Sequence, residues 1–316
     1  MRKIEDVLEG VKSIGIAGHV RPDGDSIGSC MALYLYLKKN YPQIDVTVYI
    51  DNPKEVFFYL KEIKAARQVY TAQEAACDLF ITLDVSAQNR IGVAAEGFAK
   101  ARKTLCIDHH ISNPGFADMN YICSDISSTA EALYGLLDSH KIDADIAEAI
   151  YTGIIHDTGV FQYASTTPDT MCIAGQLMKT GFNFSRIIDA SFYQKTYLQI
   201  QILGRVLAES MLLLDGRCVL GVLDQAQMNL YKATTNDLEG IVSQLRLTKG
   251  VNVAIFIYEY AAGEYKVSLR SDESVNVSAV AAQFGGGGHV RAAGCDLQGT
   301  LEEVRTQLTE CIRQQL

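Results

Sequence analysis

Four short runs in the first half of the chain, residues 13–20 (SIGIAGHV), 45–50 (DVTVYI), 78–84 (DLFITLD) and 103–109 (KTLCIDH), are almost continuously apolar instead of alternating. Strands of that kind are buried on both faces, as in a parallel sheet covered by helices. Residues 27–39 and 54–66 lie between them and read as helices. This alternation predicts an α/β fold with a doubly wound, mainly parallel sheet. Beyond Asn120 the pattern turns helical over 127–139, 144–156, 167–179 and a long stretch from 184 to 209. Ser127 or Ser128 with Glu131 resembles a capping box at the first of these.

Strand patterns return at Met211 and over 217–223, then over 251–260 and 265–270 around an Ala-Ala-Gly-Glu turn that reads as a hairpin. Helical segments at 237–247 and 301–314 complete a smaller α+β domain. The expected organisation is an N-terminal domain over 1–190, a helical linker over 191–209 and a C-terminal domain over 210–316. A helix joining two domains makes the cleft between them the natural ligand site.

The chain has 316 residues, 48% hydrophobic and 21% charged, which excludes a disordered chain and favours two cores over one. Its net charge of −9 repels a long phosphate backbone, so long duplex nucleic acid is an unsuitable partner. No apolar run reaches the roughly 18 residues of a membrane span, and no signal-peptide core follows the charged start. A cytoplasmic protein without a membrane partner is expected, with a homodimer as the default prior for a soluble enzyme. Eight scattered cysteines without a CxxC pair read as buried, reduced thiols.

The histidines and several aspartates carry a different signal. His19, Asp23 and Asp25 lie in HVRPDGDSIGS, directly after an apolar strand and at the start of a helix. An N-cap explains one acidic residue there, not two plus a histidine. Asp84 ends a second apolar strand, and Asp108-His109-His110 ends a third, where an acidic neighbour can fix an imidazole tautomer. His156-Asp157-Thr158-Gly159 ends a helix. Asp-Thr-Gly also occurs in aspartic proteases, but that reading needs a β-rich context and a second copy, which are absent.

Asp23, Asp25, Asp84 and Asp157 gathered at one sheet edge would repel one another and raise their own pKa values. A cation resolves the conflict. Four carboxylates with His19 and His109 suit two divalent ions, Mn²⁺ foremost: the set is nitrogen-rich for Mg²⁺ or Ca²⁺ and lacks the thiolates of structural zinc. A two-metal site implies a phosphoester or amide hydrolase that activates water.

These motifs, in this order, resemble those of the DHH phosphoesterase family: HVRPDGDSIGS, the Leu83-Asp84 pair, the DHH tripeptide at 108–110 and HDTG at 156–159. Residues 268–271 (SLRS) and 284–289 (FGGGGH) resemble its DHH-associated C-terminal domain. Length and arrangement are most similar to the bacterial branch of nanoRNases and pAp phosphatases. The resemblance implies that His19 and Asp23 hold one Mn²⁺, that Asp25, His109 and Asp157 hold the other, and that Asp84 bridges both. It further implies that Asp108 orients His109, that His110 faces the scissile phosphate, and that Arg270, Gly287, Gly288 and His289 clamp the 5′ end of a short nucleotide. The chain departs from the branch after the glycines, where HVRAAG replaces HRNAAG and leaves Arg291 displaced by one position. His156, beside Asp157, is a variable position.

The implied reaction is Mn²⁺-dependent hydrolysis of very short oligoribonucleotides, pApA or pAp to mononucleotides. Distance between clamp and metals would select short substrates. A pyrophosphatase or polyphosphatase of the same superfamily would use a lysine- and arginine-rich C-terminal site, which the glycine-histidine motif speaks against. A nucleotide-binding sensor without chemistry would lack a metal ligand, and all six are present.

Overall fold

Burial on both faces turns three of the apolar runs into the central strands of a five-stranded sheet, and the run at 45–50 into one of its edges. In the computed structural model, which describes residues 2–71 and 74–316, β1 (Ser13–Ala17), α1 (Gly24–Asn40), β2 (Asp45–Tyr49), β3 (Leu79–Leu83), α2 (Ala95–Lys100), β4 (Thr104–Asp108) and β5 (Met119–Ile122) follow in chain order. The sheet order is β2-β1-β3-β4-β5, with every pair parallel. Ile14, Ile16, Leu79, Ile81, Leu83, Leu105 and Ile107 form its buried centre. Strand order reverses between β1 and β3, so the crevice outside their carboxyl ends is the place where open α/β sheets bind ligands.

Helices α3 (Thr129–Leu136), α4 (Ala144–Asp157), α5 (Pro168–Met178) and α6 (Phe184–Ile188) complete this unit, which spans Met1–Gln194. Helix α1 meets α4 at unusually short range because Gly28 lacks a side chain: a Cβ there would lie 2.5 Å from the Ala149 carbonyl oxygen and 2.7 Å from the Gly153 nitrogen.

Three helical expectations are corrected. Residues 54–66 form only two 3₁₀ turns, Glu55–Phe57 and Ile63–Ala65, because Glu62 between them is left-handed at φ +59°, which no right-handed helix accommodates. The long stretch from 184 to 209 is also interrupted. After α6 a π-helical turn (Asp189–Tyr193) ends on extended Gln194, and Thr196 then caps a new helix, α7 (Tyr197–Ala208), by accepting from the Gln199 N–H. The segment at 237–247 is split by Gly240, at φ +86°, into a 3₁₀ turn and a short helix.

The second unit, Lys195–Leu316, contains α7 and then β6 (Met211–Leu213), β7 (Cys218–Leu223), α8 (Gln225–Tyr231), α9 (Ile241–Arg246), β8 (Val253–Ala261), β9 (Glu264–Ser271), α10 (Val277–Ala282), β10 (Gly287–His289), β11 (Ala292–Gln298) and α11 (Leu301–Arg313). Its mixed sheet runs β10-β11-β9-β8-β7-β6, with only β7 and β8 parallel. Val280, Val304 and Leu308 share one buried cluster with Ile255 and Val267, while Ile202, Val206 and Leu245 share another with Ala254 and Phe256. Helices therefore cover both faces of the sheet.

Cys30, Cys106, Cys218 and Cys295 are buried and all eight cysteines are free, but Cys172 is exposed, against expectation. It lies on the solvent side of α5. Among the described residues, no helix is long and apolar enough to cross a membrane.

Candidate metal centre

The loop after β1 supplies three of the expected groups by turning sharply into α1. Asp23 is the N-cap of that helix, its Oδ1 accepting from the N–H groups of Asp25 and Ser26 at 3.1 Å each. Capping therefore fixes the carboxylate without consuming its second oxygen. His19 is 8% exposed, and its Nδ1 lies 2.8 Å from the Val20 carbonyl. A carbonyl partner puts the proton on Nδ1 and leaves the Nε2 lone pair as the ligating position. That Nε2 is 3.7 Å from Asp23 Oδ1 and 3.4 Å from Asp84 Oδ2.

Asp84 follows β3 with φ +60°, a left-handed backbone tolerated by aspartate and costly for most other side chains. Its two oxygens face different histidines. Oδ2 faces His19, and Oδ1 lies 3.7 Å from His109 Nε2. At the end of α4, Asp157 Oδ2 comes within 3.0 Å of the same His109 nitrogen. Asp25, wholly buried in the first turn of α1, completes a group with His109 and Asp157.

The side chains expected as ligands thus converge as two neighbouring groups, His19-Asp23-Asp84 and Asp25-His109-Asp157, with ligand atoms within 4.8 Å of one another in each. A third group joins Asp84 and His109 to His110.

The electrostatics of these groups fit a cation. Burial, followed by the charges of Asp84 and Asp157, pushes Asp25 well above the carboxylate range. Burial also raises Asp157, with His109 opposing and Asp84 adding to the rise. Burial works against a charged His19, yet hydrogen bonding to Asp23 and Asp84 lifts it to about 10. His109 behaves alike: burial is outweighed by Asp157 and Asp25, and its pKa reaches about 9. Crowding disfavours the Asp23 anion, but His19 and the Ser26 N–H hold it down to about 2. In this state protons on the imidazoles balance the carboxylates. Neutral imidazoles, carboxylates and no thiolate are a donor set for divalent ions of intermediate hardness.

Asp108 corrects one expectation. Its Oδ1 takes the backbone N–H of His109 at 2.9 Å and Nδ1 of His110 at 2.8 Å, so it orients the His110 ring and not that of His109. His109 instead directs its Nε2 to Asp157 and Asp84, at 3.0 and 3.7 Å. The bond to Asp108 prevails over burial in raising His110. Asn113 donates to Asp108 Oδ2 at 2.6 Å and to the Val85 carbonyl at 3.0 Å, and so locks the carboxylate from behind.

Sequence reasoning missed Asn113 and also Thr129, Ser29 and Gly153. Thr129 and Ala130 donate their N–H groups to the two oxygens of Asp25 at 2.7 and 2.9 Å, and Ser29 Oγ adds a bond of 3.2 Å. The N-terminus of α3 thereby holds the buried carboxylate. Ser128 caps α3, but Glu131 reaches Ser127 and Thr170 instead of closing a capping box. Only the helix-start signature was legible; the partners lie about a hundred residues away in sequence. His156 is packed between Phe57 and Phe192, at ring distances of 5.1 and 4.8 Å, and burial depresses its pKa to about 4. The ring lies over Gly24, where a Cβ would come within 2.0 Å.

In the second unit, β10 and β9 both pair with β11, and His289 and Arg270 flank Ala292 in one row across these strands. Residues in one row share a face of the sheet. His289 is exposed, and Arg270 Nη1 donates to the Leu269 carbonyl at 2.9 Å. Two of the glycines have structural causes. A Cβ at Gly286 would lie 2.2 Å from the Gly294 carbonyl oxygen, and one at Gly288 2.4 Å from that of Ala292. Gly287 meets no such obstacle.

Comparison with known proteins identifies the family of both domains. The model of the DHH family N-terminal domain matches residues 13–154, and that of the DHHA1 domain matches residues 225–316. The bifunctional oligoribonuclease and PAP phosphatase NrnA of Thermus thermophilus is 32% identical over 322 residues, covering 100% of this chain and 94% of that protein. Its namesake from Bacillus subtilis is 27% identical over 286 residues, covering 88% and 87%. The crystal structure of an exopolyphosphatase-related protein from Bacteroides fragilis superposes with a TM-score of 0.87 at 27% identity, covering 98% of this chain and 94% of that one.

Proposed function

Because this chain belongs to the DHH family of phosphoester hydrolases, with a DHHA1 domain following the DHH domain, we propose that it hydrolyses very short oligoribonucleotides, pApA or pAp to mononucleotides with the help of two divalent ions. The observation that carries this reading is the convergence of His19, Asp23, Asp25, Asp84, His109 and Asp157 at the β1/β3 switch point. The names borne by the Thermus and Bacillus relatives supply the substrate class.

His19 and Asp23 would hold one ion, and Asp25, His109 and Asp157 the other. Asp84, with its oxygens facing different histidines, would serve both. Mn²⁺ suits the mixed nitrogen and oxygen donors best. When bound, such ions lower the pKa of water toward neutrality and offset charge on phosphoryl oxygens.

The chain's own residues position these groups. The Val20 carbonyl fixes the His19 tautomer, and α3 fixes Asp25. Asp108 holds the proton of His110 on Nδ1, which leaves Nε2 to stabilise phosphoryl charge or to exchange a proton with the leaving oxygen. On the second unit, Arg270 can fork onto phosphate oxygens, His289 stands in the same row, and Gly287 and Gly288 offer backbone without side-chain hindrance.

The test is incubation of the full chain and Mn²⁺ with labelled pApA, pAp, a diribonucleotide, a 24-mer and pyrophosphate. Release of AMP or other mononucleotides from the short substrates, with the 24-mer spared, is expected. Turnover of pyrophosphate alone would replace this reading with that of a pyrophosphatase or polyphosphatase, for which the likeness to the exopolyphosphatase-related protein speaks. No turnover at all would favour a nucleotide-binding sensor.

A further inference from the structure

Helix α7 presents apolar residues to two opposite sides. Ile202 and Val206 are buried with Val219, Ala254 and Phe256 of the second unit's sheet. On the other side Tyr197, Ile200, Gly204 and Leu207 are exposed, and their spacing of three and four residues keeps them on one face. Leu212 extends that face. It pairs with Val219 between β6 and β7, and Val219 belongs to the core that α7 covers, so Leu212 stands on the α7 side of the sheet. Tyr197 is 77% exposed, Ile200 52% and Leu212 61%.

A helix that is apolar all round ordinarily lies inside a protein. Of the twelve residues of α7 only Arg205 is charged, and its Nε lies 2.7 Å from Glu209. The open face therefore has no net charge, although the chain carries −9. Gly204, in the middle of that face, has no reason within the chain. A Cβ there would meet nothing within 4 Å, and glycine destabilises a helix interior relative to alanine. Gly28 shows what such a residue does in this fold, since it lets α1 approach α4 closely. Gly204 offers the same approach to a helix from outside the chain.

From this we infer that Tyr197, Ile200, Gly204, Leu207 and Leu212 form the interface with a second copy of this chain, two α7 helices crossing antiparallel at Gly204 about a two-fold axis. Such an axis sets Gly204 against its counterpart and sends Tyr197 of one copy toward Leu207 and Leu212 of the other, so that the surface complements itself. The absence of net charge favours this occupant, because a copy with the same −9 is repelled by the acidic remainder of the surface and not by this face. The four large side chains expose roughly 450 Å² per copy, and with Gln201 and Ala208 beside them pairing buries just over about 1,000 Å² in total, the extent a specific interface needs. The inference goes beyond the phosphoesterase reading and is independent of it, since its test reads association and not turnover.

Analytical ultracentrifugation of the full chain, Ile200→Glu and Gly204→Gln tests it, with far-ultraviolet circular dichroism as the control for folding. The unaltered chain is expected to dimerise, and each variant is expected to raise the dissociation constant about 30-fold or more, as for central residues of an interface. Gly204→Cys in a Cys172→Ser background, which removes an exposed thiol, gives a second reading. Helices crossing at Gly204 bring the two Cα atoms within the roughly 4–7 Å that a disulfide spans, so mild oxidation should yield a covalent dimer. Gly135→Cys, at an exposed position of α3, should not. A monomer at every concentration, a dimer that both substitutions leave intact, or no covalent dimer from Gly204→Cys would each overturn the interface.

Discussion

The hydroxyl of Thr129 donates to Asp84 Oδ1 at 3.1 Å while the N–H of the same residue holds Asp25. One residue at the start of α3 therefore ties together two carboxylates, one from the first turn of α1 and one from the end of β3, that belong to different groups of the site. Thr129→Val removes the bond to Asp84 and keeps the backbone bond and the volume. Loss of such a supporting bond is expected to weaken Mn²⁺ affinity by about 10–100-fold. Thr129→Ser should restore most of it, and calorimetric titration of both variants provides the check.

Gly153 lies beneath the same carboxylate: a Cβ there would sit 2.6 Å from Asp25 Oδ1 and 2.5 Å from the Ala130 Cβ. Gly153→Ala is expected to cost about 1–3 kcal/mol by overpacking, a fall of roughly 2–4 °C in Tm per kcal/mol for a unit of this size. Gly135→Ala in α3 is the control, because its Cβ would meet nothing within 4 Å. Helix propensity alone should make that change neutral or slightly stabilising.

The metal-free centre stores protons, and this sets its response to pH. His19 at about 10 and His109 at about 9 both stand above the ordinary 6.5, so the folded state binds these protons more tightly than the unfolded chain. Their contribution to stability is complete below about pH 6.5 and is lost as pH rises through about 9 to 10. Melting of the metal-free protein should therefore fall between pH 7 and 10. Metal binding must displace the same protons, so Mn²⁺ affinity should rise over pH 6–8, with proton release visible as a buffer-dependent calorimetric enthalpy. An affinity independent of pH would contradict protonated imidazoles in the metal-free site.

Asn113 acts on His110 through Asp108. Asn113→Ala removes the 2.6 Å bond to Asp108 Oδ2 and loosens the carboxylate that fixes the His110 ring. A fall in kcat of about tenfold is expected with Mn²⁺ stoichiometry unchanged, as for other residues that support an active group from behind. A fall in stoichiometry instead would place Asn113 in support of the metals.

Much of this was legible in the sequence because its signals were local. The apolar runs gave β1 to β4, and the residues expected as ligands lie at the ends of β1, β3, β4 and α4, where strand and helix termini can be read from pattern. What escaped was set by tertiary context. Met119–Ile122 is a short, half-exposed edge strand without a continuous apolar run. The left-handed Glu62 breaks a segment whose apolar spacing is helical, and Thr196 starts a new helix inside another. Thr129, Asn113 and Gly153 carry no motif of their own, and their importance comes from carboxylates that the fold brings to them. The pairing of Asp108 with His110 and not His109 follows from side-chain directions in the loop after β4, which the tripeptide alone does not specify.

The central claim is that Asp84 is shared by two divalent ions. Anomalous scattering at the manganese edge from crystals grown with Mn²⁺ tests it most directly, alongside the same measurement on Asp84→Asn, which keeps the side-chain shape at this left-handed position. Two peaks are expected, one beside His19 and Asp23 and one beside Asp25, His109 and Asp157, with Asp84 touching both and at least one peak lost in the variant. A single peak away from Asp84, or none at saturating Mn²⁺, would contradict the account.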